Sequence, residues 1–184
     1  PNAGLMAYLQ SQAAAAEARA AALAQQQREA ASAFLQTQLK SFGLDGMAGA
    51  IDSLIAEWGS NTDVISLKLK ETTQYKERFA GLLGLQTRGI TDVQNEAQYL
   101  QLETSYRQVF RDAGLTSFLG TAGSKQEQTA IADIVGKYSL SVNEVASRVA
   151  DSQRVAANTP QTVKDAFMQY YGVDTTQLVA YSLD

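Results

Sequence analysis

Carboxylates are the side chains of this chain best suited to acid–base chemistry, because the sequence contains no histidine and no cysteine. At helical spacing, the carboxylates of interest are Glu57 with Asp63, Glu96 with Glu103, and Asp112 near Glu103. A glycosidase needs two carboxylates that face each other across a cleft, and sequence spacing does not establish a cleft. Glu103 has aromatic neighbours and is the best candidate for a perturbed acid. An ion pair on the helix surface with Arg107, four residues further on, explains Glu103 equally well.

Other patterns that could form a ligand site are incomplete. Asp45-Gly46 and Asp174-Thr175-Thr176 lack the alternating oxygen ligands and the terminal glutamate of a calcium loop. Gly81, Gly84 and Gly89 lack the lysine and the Ser/Thr of a phosphate-binding loop. The missing histidine and cysteine remove the commonest general base, imidazole metal ligands, thiolate metal sites and disulfides. We therefore expect a protein that is not an enzyme and that has no cofactor or metal.

One basic cluster is present, and it consists of Lys68, Lys70, Lys76, Arg78 and Arg88. Tyr75 and Phe79 lie among these cations, an arrangement that a protein binding single-stranded nucleic acid would use. Lysine stems that cover a hydrophobic seam are the commoner cause of such a pattern. The formal charge of −4, from 15 basic and 19 acidic residues, provides no broad field for a phosphate backbone. Nucleic acid is thus an open alternative partner that the charge does not indicate.

The composition favours helices, since only two prolines and 13 glycines interrupt the chain. No alternating apolar–polar run is long enough to predict a strand. No apolar run approaches the roughly 20 residues that span a bilayer, so we predict a soluble protein without a membrane-spanning segment. The predicted fold class is all-α, with a long N-terminal helix followed by a compact array of short capped helices.

The first predicted helix runs from Leu5 to Phe42, a stretch without glycine or proline. It would be roughly 55 Å long. Its apolar face is mostly alanine, with Leu23, Phe34 and Leu39 among the larger anchors, and such a face buries little area per residue. We predict that this helix packs against other copies of the chain in a ring or bundle. The alternative is a solvated, partly disordered leader.

Gly43 is suited to the end of this helix, and we place a domain boundary between residues 43 and 47. Residues 1–43 would then be an assembly helix, and residues 47–184 a compact docking domain. A second helix is predicted from Met47 to Trp58. A third begins at a capping box formed by Ser60 and Asp63. The stretch from Tyr75 to Gly89 is punctuated by glycine and is interpreted as a partly ordered connector.

Later helices are marked by capping signals. The predicted starts are Asn95 with Gln98, Ser124 with Glu127, Ser141 with Glu144, Thr159 with Pro160, and Asp174 with Gln177; the predicted ends include Gly114 and Gly172. The helix that begins at Asn95 has an aromatic stripe of Tyr99, Tyr106 and Phe110. We predict that the core and the docking surface are formed by Trp58, Tyr75, Phe79, Tyr99, Tyr106, Phe110, Phe167 and Tyr170.

Several segments resemble a known family when the order of their aromatic and charged residues is compared. They are TQYKERFAG and EAQYLQLETSYRQVFRDAGL between Thr73 and Leu115, and then SLSVNEVASRV and YYGVDTTQLVAYSLD. They resemble a domain of virion structural proteins of tailed bacteriophages, in which a YKxRFxG element precedes an EAxYLxxExxYRQxxRxAGL helix. The resemblance covers the chain from Thr73 to its end. The chain departs from the family pattern at TSFLGTAGSKQEQ, where relatives have a turn rich in Pro, Gly and Tyr.

The resemblance implies a part in the phage particle, as a tail component, a protein linked to the tape measure, or an internal protein ejected with DNA. It supplies no catalytic residues. Expected partners are other copies of the chain and other virion proteins, and the expected location is the virion, after synthesis in the bacterial cytoplasm. Relatives continue past the position of Asp184, so we expect a longer protein. The rival hypotheses are the structural part of a virion-associated cell-wall hydrolase, and an ejection protein that contacts DNA.

Overall fold

The computed structural model describes residues 2–136, 141–174 and 177. Throughout these residues every regular element is a helix, so the all-α prediction is confirmed. The chain divides into two compact units, Pro1–Lys76 and Glu77–Asp184. In the part of the chain that is described, no helix is both long and apolar enough to cross a membrane.

Unit 1 is dominated by the helix α1, which spans Asn2–Ser41. A single 3-10 turn at Asp45–Met47 connects it to α2 at Ala48–Trp58, and α3 follows at Thr62–Glu71. Residues 2–30 of α1 are exposed at every position, and burial begins only in its last turns. The core of unit 1 includes Ala31, Leu35, Leu39, Met47, Ile51, Ile55, Ile65 and Leu69.

The division into units differs from the boundary predicted between residues 43 and 47. The last turns of α1 bury Leu35 and Leu39 and pack against α2 and α3, so this end of the helix belongs to the same core as the two helices that follow. Gly43 does end the helix, with a φ of 71° that favours glycine. The predicted break is therefore a turn inside unit 1.

The start of α3 corrects a predicted cap. Ser60 and Asp63 were expected to form a capping box, but the side chain of Asn61 caps this helix instead. Its Oδ1 accepts a hydrogen bond from the backbone N–H of Val64 at 3.2 Å. Asn61 is one residue later than the predicted cap, and it can satisfy the first-turn N–H in the same way as serine.

Unit 2 contains short helices. The first, α4, crosses the unit boundary, and the others follow in order: α4 Thr73–Arg78, α5 Ala80–Thr87, α6 Glu96–Asp112, α7 Thr116–Leu119, α8 Lys125–Gly136, α9 Val142–Asn158 and α10 Gln161–Tyr171. Helix α5 packs on α8, and α6 packs on α7 and α9. The buried aromatic residues of α6, namely Tyr99, Tyr106 and Phe110, lie at the centre of this unit's core.

Most predicted caps of unit 2 are confirmed. Asn95 accepts from the N–H of Gln98 at 3.0 Å, and the Gln98 side chain reaches back to the N–H of Gln94 at 2.7 Å. Ser124 and Ser141 accept from the backbone N–H groups of Glu127 and Glu144 at 3.2 and 3.1 Å. Gly114 and Gly172 have positive φ angles after α6 and α10.

Two predicted starts near the C-terminus have different outcomes. Helix α10 begins at Gln161, one residue later than predicted, with Pro160 in the N-cap position and no side-chain cap. The predicted cap, Thr159, instead donates its hydroxyl to the Val155 carbonyl at the end of α9 at 2.8 Å. Asp174 and Gln177 form a reciprocal pair, in which each side-chain oxygen accepts from the other residue's backbone N–H at 2.8 Å. The helix predicted after Asp174 lies outside the described residues.

The stretch from Tyr75 to Gly89 was predicted to be a connector, and this is wrong. It forms part of α4 and the whole of α5, with Tyr75, Phe79, Leu82 and Leu85 buried. A Cβ on Gly84 would lie 3.0 Å from the Cα of Gly136, so α5 and α8 approach each other closely at this point. The glycines of this stretch permit helix packing, and they do not mark a loop.

Candidate functional site

Glu103, the best candidate for an acid, is held in a buried ion pair. Its two carboxylate oxygens accept hydrogen bonds from Nη1 and Nη2 of Arg78 at 2.6 and 2.7 Å. Glu103 is 3% exposed and Arg78 is 7% exposed. The predicted surface pair with Arg107 is therefore wrong. Glu103 lies on the same face of α6 as Tyr99 and Tyr106, so its carboxylate faces the core and requires a buried cation.

This geometry determines what Glu103 can do chemically. A bidentate pair with a guanidinium occupies both oxygens of the carboxylate. A general acid must instead carry a proton and reach its substrate. Buried and doubly paired, Glu103 has the arrangement of a structural charge that holds Arg78, the last residue of α4, against α6 within unit 2.

Arg107 has a different partner from the predicted one. Its Nε and Nη2 donate to the two carboxylate oxygens of Glu127 at 2.6 and 3.0 Å, and the N–H of Gly123 donates to the same carboxylate at 2.5 Å. Glu127 is 2% exposed. The residue predicted as part of a helix cap thus also joins α8 to α6.

The electrostatics of this pair favour its charged state. Burial raises the pKa of the Glu127 carboxyl, but the hydrogen bonds from Arg107 and Gly123, with the charges of Arg107 and Arg78, outweigh burial and hold the pKa below its ordinary value. The hydrogen bond to Glu127 raises the pKa of the Arg107 guanidinium. The two groups therefore remain charged together near neutral pH.

The hydroxyl of Tyr99 has no hydrogen-bond partner, although the side chain is fully buried. It lies against Gly81 of α5, where a Cβ would come within 2.9 Å of the ring carbon Cε2. Burial, and then the charge of Glu103, raise the pKa of Tyr99 well above its ordinary value. The ring also meets Phe79 edge to face, with centroids 5.9 Å apart. The contacts around this hydroxyl are those of core packing.

The remaining predicted carboxylates do not form a site. Glu57, Asp63 and Asp112 are exposed. Asp112 accepts a hydrogen bond from the Gln108 side chain at 2.6 Å, which is a local pair on one helix. Within residues 2–136, 141–174 and 177, no three acidic side chains are grouped so that they could hold a metal ion.

The members of the basic cluster contact different partners. Lys68 lies 3.1 Å from Glu71 and 5.8 Å from the Trp58 ring centroid. Lys70 lies over the Tyr75 ring at 5.9 Å. Arg78 is buried against Glu103, and the interleaved rings of Tyr75 and Phe79 are also buried. These two rings are therefore not available for stacking on nucleic-acid bases.

The residues predicted for the core or for interactions fall into two groups. The buried ones are Leu39, Tyr75, Phe79, Tyr99, Tyr106 and Phe110. The exposed ones are Leu23, Phe34, Trp58, Phe167 and Tyr170. Four of these five lie on α1 and α10, the two helices that carry most of the exposed large hydrophobic side chains among the described residues.

The first of these surfaces belongs to residues 2–30 of α1, which we call the arm. Its large apolar side chains are Leu5, Met6, Tyr8, Leu9 and Leu23, each between 52% and 60% exposed. The arm carries only four charged residues, Glu17, Arg19, Arg28 and Glu29, and these sum to zero. A helix with few charges, zero net charge and exposed leucines is suited to contact with another apolar helix.

The second surface lies on α10, which buries none of its residues. Its exposed side chains include Val163, Phe167, Met168, Tyr170 and Tyr171, and we call this surface the α10 face. Tyr170 and Tyr171 are 75% and 73% exposed, and the Phe167 and Tyr171 rings lie 5.7 Å apart. Aromatic residues and methionine are enriched at protein–protein interfaces.

No protein-family model, curated protein or solved structure matches the chain.

Proposed function

We propose that this chain is a structural, non-enzymatic component of a tailed-phage particle, in the tail or inside the virion. It assembles through the arm and docks on neighbouring virion proteins. The observation that carries the proposal is the exposure of the arm, a helix about 43 Å long in which every residue from 2 to 30 is exposed. The motifs between Thr73 and the end of the chain support the phage assignment by resemblance.

The exposed arm favours assembly for an energetic reason. Burying a leucine or a methionine contributes about 1.5–3 kcal/mol relative to exposure. The arm leaves Leu5, Met6, Leu9 and Leu23 in water. Pairing with other chains would remove these side chains from water, and a symmetric particle supplies many copies for the purpose.

The α10 face supports docking on other proteins. Interface hot spots are rich in tyrosine, and the amphipathic rings of Tyr170 and Tyr171 can bury area while their hydroxyls remain hydrogen-bonded. Since the arm and the α10 face lie in different units, self-association and attachment to a neighbour can use separate surfaces.

The buried contacts weigh against the sites that the two rival functions would use in this chain. A hydrolase site built around Glu103 is disfavoured, because both of its carboxylate oxygens are bound by Arg78. A hydrolase whose catalytic domain lies elsewhere would leave this chain a structural part. The DNA-contact hypothesis depended on the cluster from Lys68 to Arg88, in which Arg78, Tyr75 and Phe79 are buried.

The first experiment measures the mass of the purified chain in solution by light scattering, beside a truncation lacking residues 1–30. The cut precedes Ala31, so the buried end of α1 stays in place. We expect a defined oligomer for the full chain and a monomer for the truncation. A monomeric full chain, or an oligomer that survives truncation, would contradict assembly through the arm.

A second experiment tests the phage assignment. Peptide mass spectrometry of purified particles, from the phage whose genome encodes the chain, should detect it in a fixed ratio to the major tail or capsid protein. A chain found in infected cells and not in particles would contradict a structural part in the virion.

A further inference from the structure

Helix α1 has a second apolar line, separate from the line that packs in unit 1. Successive residues of an α-helix are about 100° apart, which places Leu5, Leu9, Leu23 and Phe34 within about 40° of one another. The buried residues Ala31, Leu35 and Leu39 lie on a line roughly 100° away. Phe34 is 57% exposed even though its neighbours Ala31 and Leu35 are buried. The second line is therefore open along the whole of α1.

Three members of this open line, Leu5, Leu9 and Leu23, fit the seven-residue spacing of a coiled coil, and Phe34 lies beside it. One set of positions seven apart is apolar (Leu9, Ala16, Leu23 and Ala30), and the accompanying set has leucine and alanine at its ends and polar residues between them (Leu5, Gln12, Arg19, Gln26 and Ala33). A seven-residue period keeps the same side of a helix facing a partner helix. We call the two sets together the seam.

We propose that the seam pairs in antiparallel orientation with the same seam of a second copy of this chain. This inference rests on the proposed function, and it specifies the face, the occupant and the direction of the assembly contact. In this arrangement Leu9 of one copy lies beside Ala33 and Phe34 of the other, and the two Leu23 side chains flank the centre.

Charge determines the direction. A parallel pair in register places Arg19 of one copy opposite Arg19 of the other, inside the seam. The antiparallel pair instead places Arg19 beside Leu23, where its aliphatic stem covers the leucine and its guanidinium reaches water. Glu17, Arg28 and Glu29 then also face uncharged residues, so like charges do not meet.

The estimated area of the contact supports pairing along the whole of α1. A contact strip along the 40 residues of α1 would be about 60 Å long and about 10 Å wide, which gives about 1,200 Å² for two copies. Specific interfaces bury about 1,200 Å² or more. Overlap of the arms alone would provide only about 900 Å². An antiparallel pair that places Leu9 beside Phe34 overlaps nearly all of α1, and it therefore reaches the size of a specific interface.

The face is tested with matched aspartate variants of the full chain. Leu9→Asp and Leu23→Asp place a charge in the seam, whereas Met6→Asp places the same charge about 80° away at a similarly exposed position. By light scattering against concentration, we expect the seam variants to weaken association at least about tenfold, and Met6→Asp to change it less than about twofold. Circular dichroism checks that helix content is retained.

The direction is tested with introduced cysteines, since the chain has none. On mild oxidation, a mixture of Leu9→Cys and Ala33→Cys chains should form the 9–33 disulfide, because disulfides require Cα atoms within about 7 Å. A 9–9 disulfide from Leu9→Cys alone would overturn the antiparallel pair. An oligomer that resists both seam variants would overturn the seam and leave assembly through the arm in place. A monomeric full chain would overturn both proposals.

Discussion

The arm and α6 are both helices of strong helix-forming residues, yet they use their side chains in opposite ways. Residues 2–30 of α1 bury nothing, whereas α6 buries Tyr99, Glu103, Tyr106 and Phe110. Alanine is the commonest residue of the arm, whereas α6 has an aromatic face. The comparison teaches that helix propensity fixes the backbone of both, and that the large side chains on one face of α6 give it the area that a core contact needs.

The largest expected effect comes from the buried charge of α6. Glu103→Ala should lower the free energy of unfolding of unit 2 by about 3–5 kcal/mol, because Arg78 would remain buried without its carboxylate. Hydrogen exchange of the α6 amides measures this change. Glu144→Ala is the control, since its pair with Arg148 is exposed and should contribute less than about 1 kcal/mol.

A double variant tests the physical reason. Replacing both partners, Arg78→Met with Glu103→Leu, removes the buried charge together with its counter-charge, and it should be more stable than Glu103→Ala alone. Equal stability of the double and single variants would mean that lost packing, and not an unpaired cation, causes the effect.

High pH should weaken α6 without affecting the arm. Burial, and then the charge of Glu144, raise the pKa of Tyr106 from 10.0 to about 12. The folded protein holds the neutral form, so this contribution is fully present below about pH 10 and is lost as the pH rises toward about 12. The loss is on the order of 2 kcal/mol. Chemical unfolding across this range should show a shallower decline in Tyr106→Phe, and identical slopes would contradict the assignment.

A smaller effect is expected where α5 meets α8. Gly84→Ala adds a methyl group 3.0 Å from the Cα of Gly136, so the helices must separate. The expected net destabilisation is about 1–2 kcal/mol, after the better helix propensity of alanine is included. Gly49→Ala in α2 is the matched control, because nothing lies within 4 Å of its Cβ, and it should stabilise by about 0.5–1 kcal/mol.

The smallest effect should come from the arm. Leu23→Ala removes a side chain that is 56% exposed, so the unfolding free energy of the dilute, monomeric chain should change by less than about 0.5 kcal/mol. Phe110→Ala, from the buried face of α6, should cost about 3–5 kcal/mol under the same conditions. A cost above about 1 kcal/mol for Leu23→Ala would show that the arm contacts its own chain.

Local signals allowed much of the fold to be predicted from the sequence. Asn95 and Ser141 satisfy N–H groups three residues later, and Gly114 and Gly172 take positive φ angles at helix ends. Each of these depends on a few consecutive residues, which a single sequence displays directly. The all-α class and the limits of α1 and α6 follow from the same kind of evidence.

Contacts between distant residues could not be found in this way. Arg78 and Glu103 are 25 residues apart, and Arg107 and Glu127 are 20 apart. Glu103 lies four residues after Tyr99 on the aromatic stripe, but it was assigned to the helix surface beside Arg107, because nothing local identified its buried cation. The glycines of α5 were misinterpreted for a related reason, since only the backbone of α8 reveals why Gly84 must be small.

The position of Trp58 has a practical consequence. It is the single tryptophan of the chain, it lies at the end of α2 in unit 1, and Lys68 is close to its ring. The buried rings Tyr99 and Tyr106 lie in unit 2. Tryptophan fluorescence therefore reports on unit 1, while near-ultraviolet circular dichroism includes the fixed tyrosines of unit 2. Denaturant curves from the two signals should coincide if the units unfold in one transition, and separate if each is an independent folding unit.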